Sequence, residues 1–63
     1  MMRLVNLSYP DGRRVCAPVF VSIDRRNYDP TDIEFEEEAV RFALRDGLVT
    51  RRGDVVAEVS PNE

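Results

Sequence analysis

Three arginine pairs, Arg13-Arg14, Arg25-Arg26 and Arg51-Arg52, are the groups in this chain best suited to recognition chemistry. A guanidinium presents a planar fork of donors that matches carboxylate and phosphate oxygens, and adjacent guanidiniums can neutralise successive phosphates. If the elements run antiparallel in turn, Arg25-Arg26 and Arg51-Arg52 emerge at one end of the molecule and Arg13-Arg14 at the other. Asp24, Asp29 and Asp54 stand close enough to offset much of that charge, and exposed opposite charges of this kind contribute little on their own. All nine basic residues are Arg and none is Lys, a bias that reflects GC-rich coding more than chemistry.

The other reactive residue types fit no catalytic or metal-binding pattern. There is no His, so Ser-His-acid and Cys-His constellations are ruled out, and Cys16 has no imidazole to activate it. A zinc site needs more ligands than one thiolate. The acids Asp24, Asp29, Asp32, Glu34 and Glu36 were aligned with a calcium loop starting at Asp24. Positions 3 and 5 become Arg26 and Tyr28, and position 6, which must be Gly, is Asp29. Glycines stand only at 12, 47 and 53, each at a turn or helix end, so no phosphate-cradling loop exists. Glu36, Glu37 and Glu38 form a run on the outside of a helix, where solvation accounts for them. The expectation is a non-enzymatic protein with no catalytic residue, no cofactor and no metal.

Those side chains must be held by a short list of elements. Residues 2–23 read as a β-hairpin around Tyr9-Pro10-Asp11-Gly12, in which Pro presets φ, Asp suits the next position and Gly accepts the left-handed conformation. On the returning strand Val15, Ala17, Val19, Val21 and Ile23 are expected on one face and Cys16, Pro18, Phe20 and Ser22 on the other. Pro18 cannot donate to a ladder and belongs at an edge or bulge. A polar connector, 24–29, leads to a helix capped by Asp29 with Pro30 at the first position, or by Thr31 with Glu34 as a capping box. From Ile33 onward Ile33, Phe35, Ala39, Val40, Phe42, Ala43 and Leu44 cover one broad side and Gly47 ends the helix. A second hairpin is expected from 48–50 and 55–59 around Arg51-Arg52-Gly53-Asp54. The fold class is therefore α+β: a small antiparallel sheet of two hairpins with one amphipathic helix, order ββαββ. Its expected core is Val19, Val21, Ile23, Val40, Phe42, Leu44, Val55, Ala57 and Val59, with truncation of Phe42 to Ala costing about 3 to 5 kcal/mol.

At 63 residues the chain makes one domain, 1–63, with 60–63 a polar tail. A domain of this size buries only about 60% of the surface its unfolded form exposes, and it usually needs a staple such as disulfides, a metal or a partner. With one Cys and no His, association is the staple left. The net charge of −3 argues against general affinity for nucleic acid or anionic membranes. The N-terminus does not resemble a signal peptide, and the longest apolar stretch, 15–21, is far short of the roughly 20 residues of a span. A soluble, cytoplasmic setting is expected.

The segment 39–59, with its helix, Gly47, Leu48 and Val49, then Arg51-Arg52-Gly53 and Val55, resembles the last helix and wing of winged-helix DNA-binding domains over about a third of the chain. Those folds place further helices where residues 1–28 read as strands. The first hairpin followed by a helix is similar in element order to the opening of β-grasp, ubiquitin-like folds. The functional expectation is a small protein-binding or assembly module, such as a regulator, a phage-type accessory protein or a structural subunit, that meets a protein partner or itself through Tyr9, Cys16, Phe20 and Tyr28. The alternative, which the winged-helix resemblance implies, is a nucleic-acid binder using Arg25, Arg26, Arg41, Arg45, Arg51 and Arg52. The acidic balance leads to a first prediction: Arg51 and Arg52 do not bind DNA appreciably at physiological salt. A gel shift tighter than the nonspecific range of about 10⁻⁴ to 10⁻⁶ M, lost on replacing both by Ala, would contradict it.

Overall fold

The Tyr9-Pro10-Asp11-Gly12 turn closes as its residue types dictate. In a computed structural model that describes residues 1–61, the Gly12 N–H donates to the Tyr9 carbonyl at 2.9 Å and the Tyr9 N–H to the Arg13 carbonyl at 2.7 Å. Asp11 Oδ1 accepts from the Arg13 N–H at 3.0 Å, and Gly12 takes φ 96°, a conformation that a Cβ would disfavour. Asn62 and Glu63, the end of the expected tail, lie outside the described residues.

The turn joins β1 (Met2–Ser8) to β2 (Val19–Ser22), which pair antiparallel with Val5 opposite Val19 and Met2 opposite Ser22. Three residue steps along β1, from Ser8 to Val5, are matched by five on the returning arm, from Arg14 to Val19. The two extra residues make a bulge at 15–18 that contains Pro18, a residue unable to donate to the ladder. Strict alternation therefore holds from Val19 to Ile23 and fails before it. Val15 and Cys16 both pack against the core, and Ala17 is exposed.

Helix α1 (Asp32–Arg45) starts by the Thr31 option. Thr31 Oγ1 accepts from the Glu34 N–H at 3.3 Å, and Glu34 Oε1 accepts from the Thr31 N–H at 2.9 Å. Phe35, Ala39 and Ala43, four residues apart, lie fully buried against the sheet with Val40 beside them. The two alanines let the helix axis come close to the sheet, and Phe35 fills the space that remains. Phe42 and Leu44 fall at the two margins of this stripe at 100° per residue, so both are only half-buried, and Ile33 at the helix start is exposed.

The expected second hairpin does not form. After α1 the Leu48 and Val49 N–H groups both point back to the Ala43 carbonyl, at 2.9 and 3.5 Å, with Gly47 at φ 74°. This C-terminal cap consumes the donors that a strand at 48–50 would need. The chain then takes a 3-10 turn, Arg52–Asp54, before β3 (Val56–Val59), which pairs with β1 instead: Val5 opposite Val59 and Leu7 opposite Ala57. The order is thus ββαβ, not ββαββ, and the sheet is β2-β1-β3, all antiparallel. Ser60, placed in the tail by the sequence, extends this pairing by donating to the Leu4 carbonyl at 2.8 Å.

The core is Val5, Leu7, Val21, Ile23, Phe35, Ala39, Val40, Ala43, Val49, Val55 and Val59. Of the residues expected there, Val21, Ile23, Val40, Val55 and Val59 are buried, while Val19, Phe42, Leu44 and Ala57 are partly buried around them. Phe35, not Phe42, is the aromatic centre. We predict that Phe35→Ala costs about 3 to 5 kcal/mol and that Phe42→Ala costs less, because part of its ring already meets water. Urea unfolding of both variants measures this, and a larger loss at Phe42 would contradict the packing described.

Candidate functional site

One helix covers one face of a sheet, so the other face is decided by strand alternation alone. On β1, Arg3, Val5 and Leu7 turn towards α1, and Met2, Leu4, Asn6 and Ser8 turn away. The register then sets Phe20 directly opposite Leu4, Ser22 opposite Met2, Glu58 opposite Asn6 and Val56 opposite Ser8. At the β2 side this makes an apolar cluster of Met2, Leu4 and Phe20, with Phe20 70% exposed and Met2 57% exposed. Towards β3 the same face becomes polar through Asn6, Ser8 and Glu58, with Val56 exposed at the far end.

The four residues expected to share an interface stand in different surroundings, although Cys16 borders Asn6 and Ser8 of the open face. Phe20 stands on the open face. Tyr9 and Cys16 are half-buried against the core, and the Arg13 guanidinium lies 4.9 Å from the Tyr9 ring centroid, close enough for a cation–π attraction. Tyr28 is part of a polar cluster at the start of α1, where its hydroxyl donates to Glu34 Oε2 at 3.0 Å and accepts from Arg25 Nε at 3.3 Å. Met2 and Leu4 join Phe20 on the open face only once β1 is given an inward and an outward side. The alternation of Val5 and Leu7 with Asn6 and Ser8 was the signal that could have found them.

The arginines are also distributed differently. Because α1 runs back to the hairpin-tip end and β3 returns from there, Arg51-Arg52 lies at the same end as Arg13-Arg14, and Arg25-Arg26 follows β2 at the opposite end. The expected grouping of Arg25-Arg26 with Arg51-Arg52 depended on the hairpin that does not form. Most of these guanidiniums also have acidic partners: Arg13 with Asp11 at 2.7 Å, Arg25 with Glu34 at 3.5 Å, Arg41 with Glu38 at 2.6 Å, Arg51 with Asp54 at 3.5 Å, and Arg52 with Glu37. Arg26 and Arg45 are exposed. The wing that the winged-helix resemblance implies is absent from the described residues.

Two clefts flank the hairpin tip. One, of about 450 Å³, lies between Tyr9, Pro10 and Arg13 on one side and Leu48, Thr50 and Asp54 on the other. The second, of about 220 Å³, is lined by Asn6, Ser8, Gly12, Arg14 and Cys16. The charges in the first are matched internally, Arg13 by Asp11 and Asp54 by Arg51. Among the described residues no group of three or more His, Cys, Asp or Glu is placed to hold a metal ion, and no helix is long and apolar enough to cross a membrane. Comparison with protein-family models, with curated proteins and with solved structures finds no match.

Two carboxyls are tuned by their hydrogen bonds. The Thr31 N–H in the capping box, with the Tyr28 hydroxyl and Arg25 behind it, holds Glu34 below the ordinary carboxylate range, and the Arg13 N–H does the same to Asp11. Each therefore binds a proton less readily folded than unfolded. Their stabilisation is present above the ordinary range, about pH 4 to 4.5, and is lost as pH falls through it and on to the lowered folded value. We predict that Glu34→Gln flattens the acid limb of stability in stepped-pH urea unfolding. Thr31→Ala should keep that limb while lowering stability by about 1 kcal/mol throughout. An acid limb in Glu34→Gln equal to the wild type would contradict the assignment.

Proposed function

We propose that the chain is a small non-enzymatic protein-binding or assembly module that works through the open sheet face, with Phe20 as its anchor. The observation that carries this reading is the juxtaposition of Phe20 with Leu4 and Met2 on the face α1 leaves uncovered. A lone exposed apolar side chain needs no explanation, but here exposed Phe20 and Met2 share one sheet face with half-buried Leu4. Covering the exposed part of the Phe20 ring, about 100 to 150 Å², yields about 3 kcal/mol at 25 cal/mol per Å². That is less than the cost of association, so the neighbours must take part, and the β2 half of the sheet presents them together.

Several details support the same reading. Aromatic residues and Met are enriched at the centres of interfaces and charged residues at their rims, which is the arrangement from Phe20, Leu4 and Met2 outward to Glu58. The acid partners of five arginines and the net charge of −3 favour a protein partner over nucleic acid. An intracellular accessory or structural role accords with a free Cys16.

Phe20→Glu is the direct probe, because an exposed strand position tolerates substitution within about 0.5 kcal/mol. The variant is expected to unfold at nearly the wild-type urea concentration and to lose association, read as solution mass across concentration together with recovery of native partners. A strictly monomeric wild type, combined with a Phe20→Glu protein that still recovers every native partner, would refute the proposal.

A further inference from the structure

We propose that the partner of the open β2 side is a second copy of this chain, joined antiparallel along β2 about a two-fold axis at Val21 to make one six-stranded sheet. The inference rests on the assembly reading above and names its partner. Met1 and Ile23 exchange both of their main-chain hydrogen bonds, at 2.9 and 3.1 Å, which fixes the parity of the ladder: odd residues of β2 bond to β1, and Phe20 and Ser22 direct their N–H and C=O groups outward. No hydrogen bond within the described residues uses those outward groups.

The two edges of the sheet are treated differently. On β3 the outward Val59 N–H donates to Glu36 Oε2 at 3.4 Å, so a helix side chain shields that edge. On β2 the bulge at 15–18 and Pro18 guard the start of the edge, but no charged residue stands on it from Val19 to Ile23.

The limits of the edge set the register of such a pair. The usable ladder is bounded by Pro18, which has no N–H, and by Asp24, where the chain leaves the sheet. Both stand three residues from Val21, so an axis at Val21 matches the limits of one copy to those of the other. Phe20 then lies opposite Ser22 of the second copy, and each of the two such pairs exchanges two main-chain hydrogen bonds. Both open faces turn to the same side. The two Phe20 rings sit diagonally, about 7 to 8 Å apart at their backbones and within reach of each other, and they join the Leu4 and Met2 clusters of both copies into one apolar strip. An unrelated extended peptide would make the same main-chain bonds without supplying that strip.

The test is sedimentation equilibrium from micromolar to millimolar chain concentration, with amide hydrogen exchange read by NMR at both ends of the range. The wild-type mass is expected to rise towards twice the chain mass, and the Phe20 and Ser22 amides should pass from fast to protected exchange as it does. Ser22→Pro removes an N–H that the single copy does not use, and Ser22→Lys sets a charge against the facing Phe20 while keeping that N–H. Both should stay monomeric. A wild type that is monomeric throughout overturns the proposal, as does a dimer with fast-exchanging Phe20 and Ser22 amides or one that persists in both variants. A monomeric wild type whose Phe20→Glu variant loses a native partner would remove the second copy and leave the broader reading standing.

Discussion

The structure depends on the double pairing of β1. Its odd-numbered residues bond to β2 and its even-numbered residues to β3, so its backbone groups find partners on both sides. The side chains of Val5 and Leu7, both essentially inaccessible to water, form the floor on which α1 rests through Phe35, Ala39 and Ala43. A strand placed in the middle by sequence-distant partners ties residues near both ends of the chain into one sheet. The long-range closure cost is met by burying Val5 and Leu7.

From that constraint follow the two surfaces available for recognition. Three strands have two edges, and one helix covers one face. The β3 edge is shielded by Glu36, and the covered face is the core. What is left is the β2 edge and the face behind it, and the register places Phe20 on both, its ring on the face and its backbone at the edge. A 63-residue chain buries a modest share of its surface, and its single Cys allows no intrachain disulfide.

Local chemistry was legible in the sequence and long-range choice was not. The Pro10-Asp11-Gly12 turn, the Thr31 and Glu34 capping box and the outward side of Phe20 each follow from residues within a few positions of one another. The partner of β3 does not, because Val56 to Val59 has the same β-forming character whether it pairs with 48–50 or with β1. What decides is that α1 ends by drawing the Leu48 and Val49 N–H groups onto the Ala43 carbonyl. The helix face was read too broadly for a similar reason: Phe42 and Phe35 lie close together on a helical wheel, and only the approach of the sheet to Ala39 and Ala43 selects Phe35 as the filled centre. On the functional side, the residue types pointed to Phe20, while Leu4 and Met2 became its neighbours only through the register.

The chain folds around β1 with one face of the sheet closed by Phe35 and the other left open at Phe20. Paramagnetic relaxation from a soluble, uncharged probe tests it directly, at a concentration low enough to hold the chain as single copies. Strong broadening is expected of the Phe20 ring and the Met2 methyl, weaker broadening at Leu4, and none at the Phe35 ring. A Phe20 ring as protected as Phe35 under those conditions would contradict it.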